Sequence, residues 1–240
     1  MVKAKYLEIA KAIEAKIMDG TFKKGNPLPD QQTLAKQFNV SRLTVKKALD
    51  GLDRKGLIYK QSGLGTFVLG EIPIKEGIDA PANAFIGLRN QMGKEQVSSK
   101  VILFSIEFPN EKIQEYLDLK RSEPVYNIRR LRLYNNEPLT LEHTYMPVKL
   151  VPDLDQDILL DSIYDYIHEK LNLQFGHAYR RISAVKADEY DEKYLDAKKD
   201  DPILELQQIV WLTNGQPIEY STSKNRYDRR SYITVENNRF

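Results

Sequence analysis

Apolar residues recur every three or four positions through the start of the chain, at Tyr6, Ile9, Ala10, Ile13 and Ile17. This spacing predicts an amphipathic helix over residues 3–18, ended by Asp19 and Gly20. The run Lys23-Lys24-Gly25-Asn26-Pro27 reads as a turn. A second helix is expected from about Asp30 to Phe38, with Leu34, Ala35 and Phe38 inward. Asn39 and Val40 lead straight to Ser41, whose hydroxyl suits an N-cap. Val45, Ala48, Leu49 and Leu52 then keep the i, i+3, i+4, i+7 spacing of a buried stripe, in a helix that ends near Lys55 and Gly56. Residues 57–60 and 65–68 read as two strands around Gln61-Ser62-Gly63-Leu64.

Between residues 69 and 84, Pro73, Gly77 and Pro81 interrupt a stretch without sustained period, which reads as a linker. After a short helix over 85–92 the pattern changes to strands, at 99–108, 125–134, 138–146, 179–187, 203–212, 217–225 and 232–235. Helices intervene at about 110–118, 161–172 and 191–197. Long hairpins with a few helices indicate an antiparallel α+β domain. The expected organisation is therefore a first domain over 1–70, a linker over 71–84 and a second domain over 85–240. Inside the second domain, RRLRLYNNEPLTLEH resembles QQIVWLTNGQPIEYS. Either all hairpins share this look, or a repeat sets Thr140 and Glu142 against Glu219 and Ser221, with both hairpins facing one cleft.

Charge separates the two domains more sharply than composition does. Residues 1–70 hold 13 Lys+Arg and 6 Asp+Glu, a net +7, and the remainder holds 23 and 28, a net −5. A basic head on an acidic body suggests an anion-binding module joined to a domain with another task. The chain has no cysteine, which removes disulfides and thiolate metal sites. His143, His168 and His177 are scattered without ligand spacing, so no metal or cofactor is expected. The N-terminus is too charged for a signal peptide and no apolar run approaches the ~18 residues that span a bilayer. A cytoplasmic protein without a membrane partner is expected.

Helices first and a hairpin last describe a winged helix-turn-helix, and its third helix presents Arg42, Thr44, Lys46 and Lys47 outward. Arg42 can fork onto guanine O6 and N7. Ser41 and Thr44 are short donors suited to phosphates, and Lys46 is better suited to positioning than to specifying. Gly63 and Gly65 let backbone approach sugar edges. The string Leu28-Pro29, Leu34-Ala35, Phe38, Val40-Ser41-Arg42, Thr44-Val45, Ala48-Leu49, Leu52, Gly56 and Gly63-x-Gly65-Thr66-Phe67-Val68 resembles the N-terminal domain of the GntR family of bacterial transcription regulators. The resemblance implies contacts to double-stranded operator DNA from Gln32, Ser41, Arg42, Thr44 and Lys46, with Gly63 at a wing tip in the minor groove. Asp30-Gln31 stands where that family usually reads Ser-Glu, and Asp also caps.

In the second domain, Arg130 and Arg132 are two apart on a strand and share a face, as two forks for a dianion would. Glu142 joins that face only if the hairpin at Asn135-Asn136 has a three-residue or bulged loop; a tight two-residue loop would pair 129 with 142 and turn Glu142 away. Ser162 begins a helix, where free N–H groups favour an anion. The strings VYNIRRLRLYNNEPLTLEHTYMP, SIYDYI and PIEYSTSKNRYDRRSYITVE resemble the UTRA effector domain of the HutC branch of the same family, whose fold is similar to chorismate lyase. That resemblance implies a phosphate held by Arg130, Arg132, Ser162 and Tyr164 and sugar-facing carboxylates at Glu142 and Glu219, with Asn225 replacing a usual aromatic.

Together these readings predict an α+β protein with an N-terminal winged helix-turn-helix and a C-terminal antiparallel-sheet UTRA domain. The expected function is a homodimeric DNA-binding regulator, a repressor, released by a small phosphorylated metabolite, a sugar phosphate first. Two alternatives stand beside it: the same head governed by a non-sugar carboxylate or amino-acid-derived metabolite, and a lyase-like enzyme. Against the enzyme, no nucleophile with an adjacent base is visible and no catalytic residue is assigned.

Overall fold

Helices α1 (Lys5–Met18), α2 (Gln31–Phe38) and α3 (Arg42–Arg54) form where the apolar spacing expects them, followed by β1 (Ile58–Gln61) and β2 (Gly65–Val68). These assignments come from a computed structural model that describes residues 5–70, 78–82, 87–93 and 95–234. Asp30 caps α2 by accepting from the N–H groups of Gln32 and Thr33, and Ser41 caps α3 by accepting from Thr44 N–H. Asn39 takes the left-handed conformation that ends α2. The α3 stripe of Val45, Ala48, Leu49 and Leu52 is wholly buried and meets Ile9, Ile13 and Ile17 of α1 and Leu34 of α2. Each buried valine, leucine or isoleucine here contributes about 1.5–3 kcal/mol by leaving water, so this stripe anchors the core of the unit. A three-residue loop of Ser62, Gly63 and Leu64 joins β1 to β2, with Gly63 at φ +75°.

The second unit, Gly77–Ile233, contains β3 (Ile78–Pro81), α4 (Leu88–Met92), β4 (Val97–Glu107), α5 (Glu111–Leu117), β5 (Val125–Tyr134) and β6 (Glu137–Pro147). It continues with α6 (Gln156–Leu160), α7 (Ile163–Asp165), a π-helical turn (Tyr166–Lys170), β7 (Phe175–Lys186), α8 (Glu189–Tyr194), β8 (Pro202–Leu212), β9 (Pro217–Arg226) and β10 (Arg230–Ile233). Six strands form one antiparallel sheet in the order β4-β5-β6-β9-β8-β7. Its two halves match: each runs strand, helix, strand, strand, and β6 meets β9 at the centre, where His143 pairs with Thr222. The two similar sequence strings occupy equivalent hairpins in these halves.

Two expectations need correction. Residues 78–81, read as linker, form β3, which pairs in parallel with β10; a short strand that ends in proline and has no hairpin partner beside it in the chain carries no local strand signal. The rest of the expected linker, 71–77 and 83–84, lies outside the described residues. The helix expected over 161–172 forms as α7, capped by Ser162, and the π-helical turn, but a separate short helix, α6, precedes it where none was expected.

One sheet face carries α5 and α8, where Ile113 and Leu117 pack on Val125 and Tyr220, and Leu195 packs on Leu131 and Leu141. On the other face, Leu159, Ile163 and Ile167 from α6, α7 and the π turn cover Tyr126, Ile128, Met146 and Val210. Along β5 this second face changes from Tyr126 and Ile128 to Arg130 and Arg132. A polar region therefore starts where the helical cover stops.

Candidate functional site

In the first unit, Gln32, Ser41, Arg42, Lys46 and Gly63 are exposed and Thr44 is half-buried. Arg42 opens α3 and Lys46 follows one turn later on the same side. Ser41 Oγ and Thr44 Oγ1 lie 2.9 Å apart, and Ser41 Oγ also accepts from Thr44 N–H. One hydroxyl proton of the pair is thus used internally and one remains to donate. The solvent side of α3 carries Arg42, Lys46 and Lys47, and the strand leading to the wing carries Lys60, which pairs with Asp50.

In the second unit the hairpin between β5 and β6 decides the geometry. Asn135 and Asn136 both have positive φ, at 50° and 66°, in a tight two-residue turn that pairs Tyr134 with Glu137 and Leu133 with Pro138. The register then shifts at Leu139, a bulge, so that Arg132 pairs with Thr140 and Arg130 with Glu142. The loop is tight and the strand is bulged, and the bulge brings Glu142 onto the arginine face. The hairpin between β8 and β9 repeats the device: Trp211 pairs with Pro217, then Val210 with Glu219, leaving Ile218 as the extra residue. Thr140 and Glu142 in one half thereby match Glu219 and Ser221 in the other, and all four line one cavity of about 120 Å³.

Five arginines line this cavity: Arg89, Arg130, Arg132, Arg180 and Arg230, against two carboxylates, Glu142 and Glu219. Arg130 Nη2 donates to Glu142 Oε2 at 2.7 Å and its Nη1 donates to the Leu159 carbonyl at 2.9 Å. Arg132 lies 3.8 Å from the same carboxylate. Arg89 pairs with Asp161, outside the lining, and Arg230 donates to Thr140 Oγ1 at 2.9 Å. The Nε atoms of Arg130, Arg132 and Arg230 are buried without a hydrogen-bond partner. Burial first, then repulsion from Arg130, Arg89 and Arg230, outweighs the pull of Glu142 and brings the Arg132 guanidinium down to about 10. It stays charged at neutral pH. Burial pushes Glu142 up, yet Arg130 and Arg132 together hold its carboxyl below the usual range. The cavity is an electropositive enclosure that a compact anion would neutralise.

The opposite wall has different chemistry. Glu219 Oε1 accepts from Ser221 Oγ at 2.6 Å and from Gln208 Nε2 at 2.8 Å, while Glu219 Oε2 is buried without a partner. Burial raises the Glu219 carboxyl in spite of these hydrogen bonds. Tyr164 OH accepts from Gln208 Nε2 at 3.2 Å, so its hydroxyl sits on this wall and away from the Arg130–Glu142 pair. Burial and the Glu219 charge keep it protonated. Ser162 lines the cavity and caps α7, its Oγ accepting from Asp165 N–H at 3.1 Å. Asn225 is fully buried, accepts from Thr140 and donates to Tyr232 OH, whose ring lines the cavity.

The structure thus brings Arg130, Arg132, Glu142, Ser162, Tyr164 and Glu219 to one cavity. It adds Arg89, Arg180, Arg230, Gln208 and Tyr232, which sequence reasoning missed. Gln208 was within reach, since the repeat sets it opposite Ser221 as Arg130 stands opposite Glu142. Arg180 and Arg230 carry no local signal.

Residues 5–68 match the family of bacterial regulatory proteins called gntR, and residues 91–231 match the UTRA domain. The HTH-type transcriptional regulator GmuR of Bacillus subtilis is 39% identical over 225 residues, covering 94% of this chain and 95% of that protein. The crystal structure of the possible transcriptional regulator YydK from the same species superposes with a TM-score of 0.79 at 31% identity, covering 97% and 99% of the two chains. The effector binding domain of the B. subtilis trehalose repressor TreR superposes at 0.55 with 26% identity, covering 60% of this chain and 99% of that one. Proteins of this architecture are regulators and not enzymes, and among the described residues no helix is long and apolar enough to cross a membrane. With a capped, basic helix-turn-helix unit matching one family profile and a cavity-bearing sheet matching the other, this chain belongs to the GntR family of DNA-binding transcription regulators and carries a UTRA domain.

Proposed function

We propose that the chain is a cytoplasmic, homodimeric transcriptional repressor whose hold on its operator is released by a small phosphorylated metabolite, a sugar phosphate, bound between the sheet and the β3–β10 pair. The observation that carries this reading is the charge imbalance of the cavity: five arginines against two carboxylates. A dianion between Arg130 and Arg132 supplies the acceptors that their buried nitrogens lack. The wall of Glu219, Ser221, Gln208 and Tyr164 offers acceptors and donors to hydroxyl groups, which suits a polyhydroxylated body. The likeness to the effector binding domain of a trehalose repressor supports a sugar-derived effector. In the first unit, Arg42 reads base edges, Lys46 and the Ser41–Thr44 hydroxyls hold phosphates, Gln32 supports them from α2, and Gly63 brings the wing backbone to the minor groove.

Release requires the effector to bind the DNA-competent and DNA-incompetent arrangements unequally. A thermal-shift panel of sugar phosphates against carboxylic acids, followed by operator titration with the best stabiliser, tests the reading. Sugar phosphates are expected to win, and Arg132→Ala to abolish the effect. A carboxylic acid as the winner replaces the effector class. A stabiliser that leaves operator affinity unchanged overturns the release mechanism, and turnover of the bound compound overturns the regulatory role of the cavity.

A further inference from the structure

Leu43 is 62% exposed and Leu64 is 72% exposed, the two most exposed large hydrophobic side chains among the described residues of the first unit. They stand at the first turn of α3 and at the tip of the wing. A single exposed leucine needs no explanation, but the surroundings of Leu43 are specific. It is the second residue of the helix, directly after Arg42, with Lys46 and Lys47 three and four positions on along the same side. It therefore projects from the centre of the basic surface that meets DNA, and the buried stripe of Val45, Ala48 and Leu49 lies on the other side. Duplex DNA complements these cations, and the one apolar group on a base edge in the major groove is the thymine C5-methyl.

We infer that Leu43 is a specificity residue of the head and that it packs against a thymine methyl in each half-site. Arg42 supplies a polar contact and Leu43 an apolar one from adjacent positions, so the pair reads neighbouring bases. Burying one methyl group corresponds to about a fourfold gain in affinity per half-site. Leu43 makes no contribution to the core, so its replacement leaves the fold intact. The inference rests on α3 being the reading helix.

The test starts with selection of binding sites from random duplexes by the full-length chain, followed by replacement of each thymine in the selected half-site by deoxyuridine, which removes only the methyl. One position is expected to cost the wild-type protein and Leu43→Met about fourfold per half-site, and to cost Leu43→Ala nothing. Thymine methyls that matter equally to wild type and Leu43→Ala overturn this inference alone, as does a Leu43→Ala defect that lies in self-association and not in base preference. Failure to enrich any sequence overturns both this and the assignment of α3, while the effector reading of the second unit is tested separately.

Discussion

Arg130 Nη2 lies 2.7 Å from Glu142 Oε2 because one extra residue, Leu139, shifts the strand between them. Without that bulge the tight Asn135-Asn136 turn would place Glu142 on the face covered by α8. The bulge at Ile218 does the same for Glu219. The cavity chemistry therefore depends on two matching irregularities in an otherwise regular sheet.

Glu142 partly neutralises a crowded set of guanidinium groups, so Glu142→Gln is expected to lower stability by roughly 3 kcal/mol, the usual scale for removing one partner of a buried pair. Inorganic phosphate should restore part of that loss by supplying the missing negative charge. Urea denaturation with and without phosphate measures both effects. A variant as stable as wild type would show that the arginines are compensated elsewhere.

His143 sits at the centre of the sheet, its Nε2 2.8 Å from Asn127 Oδ1, and burial together with the Arg129 charge brings its pKa down to about 4. The folded protein favours the neutral ring. Its stabilising contribution is complete above pH 6.5 and is lost as pH falls from there towards 4. Allowing for partial solvent screening, the loss should be about 1–2 kcal/mol. Denaturation at several pH values should show a shallower slope for His143→Gln in this window, and NMR titration of the ring should place the pKa directly.

Arg42→Ala should reduce affinity for operator about tenfold or more while changing random-duplex affinity little, since a forked contact to guanine is worth ~1–3 kcal/mol of discrimination. Lys46→Ala should weaken both and lower the salt slope by about 1. Titration of both duplexes at one salt concentration separates the roles. Equal losses on both duplexes for Arg42→Ala would remove it from base reading.

Asp30 satisfies the Gln32 and Thr33 N–H groups that open α2, each at 2.8 Å. Asp30→Ala should cost about 1 kcal/mol in the first unit. Asp30→Ser should recover most of it. Thermal melts of the two variants compare them directly.

The first unit was legible because its determinants are local. Helices α1, α2 and α3, their Asp30 and Ser41 caps and the Gly63 turn each follow from residues within a few positions of one another. The strands of the second unit were legible for the same reason, and so was the shared face of Arg130 and Arg132. Strand β3 was missed because, unlike the equally short β1 and β2, it has no hairpin partner beside it in the chain and pairs instead with the distant β10.

The amino-acid sequence by itself determined most of the secondary elements, the basic third helix and the pair of arginines on β5, since periodicity, capping and alternation are properties of short segments. Only the tertiary structure decided on which face Glu142 lies and which distant residues join it. Leu139 shifts the register by one, a change that alternation along a single strand does not report. Arg180 on β7 and Arg230 on β10 line one cavity with Arg132 through strand order and the β3–β10 pairing, which are set by packing between segments far apart in the chain.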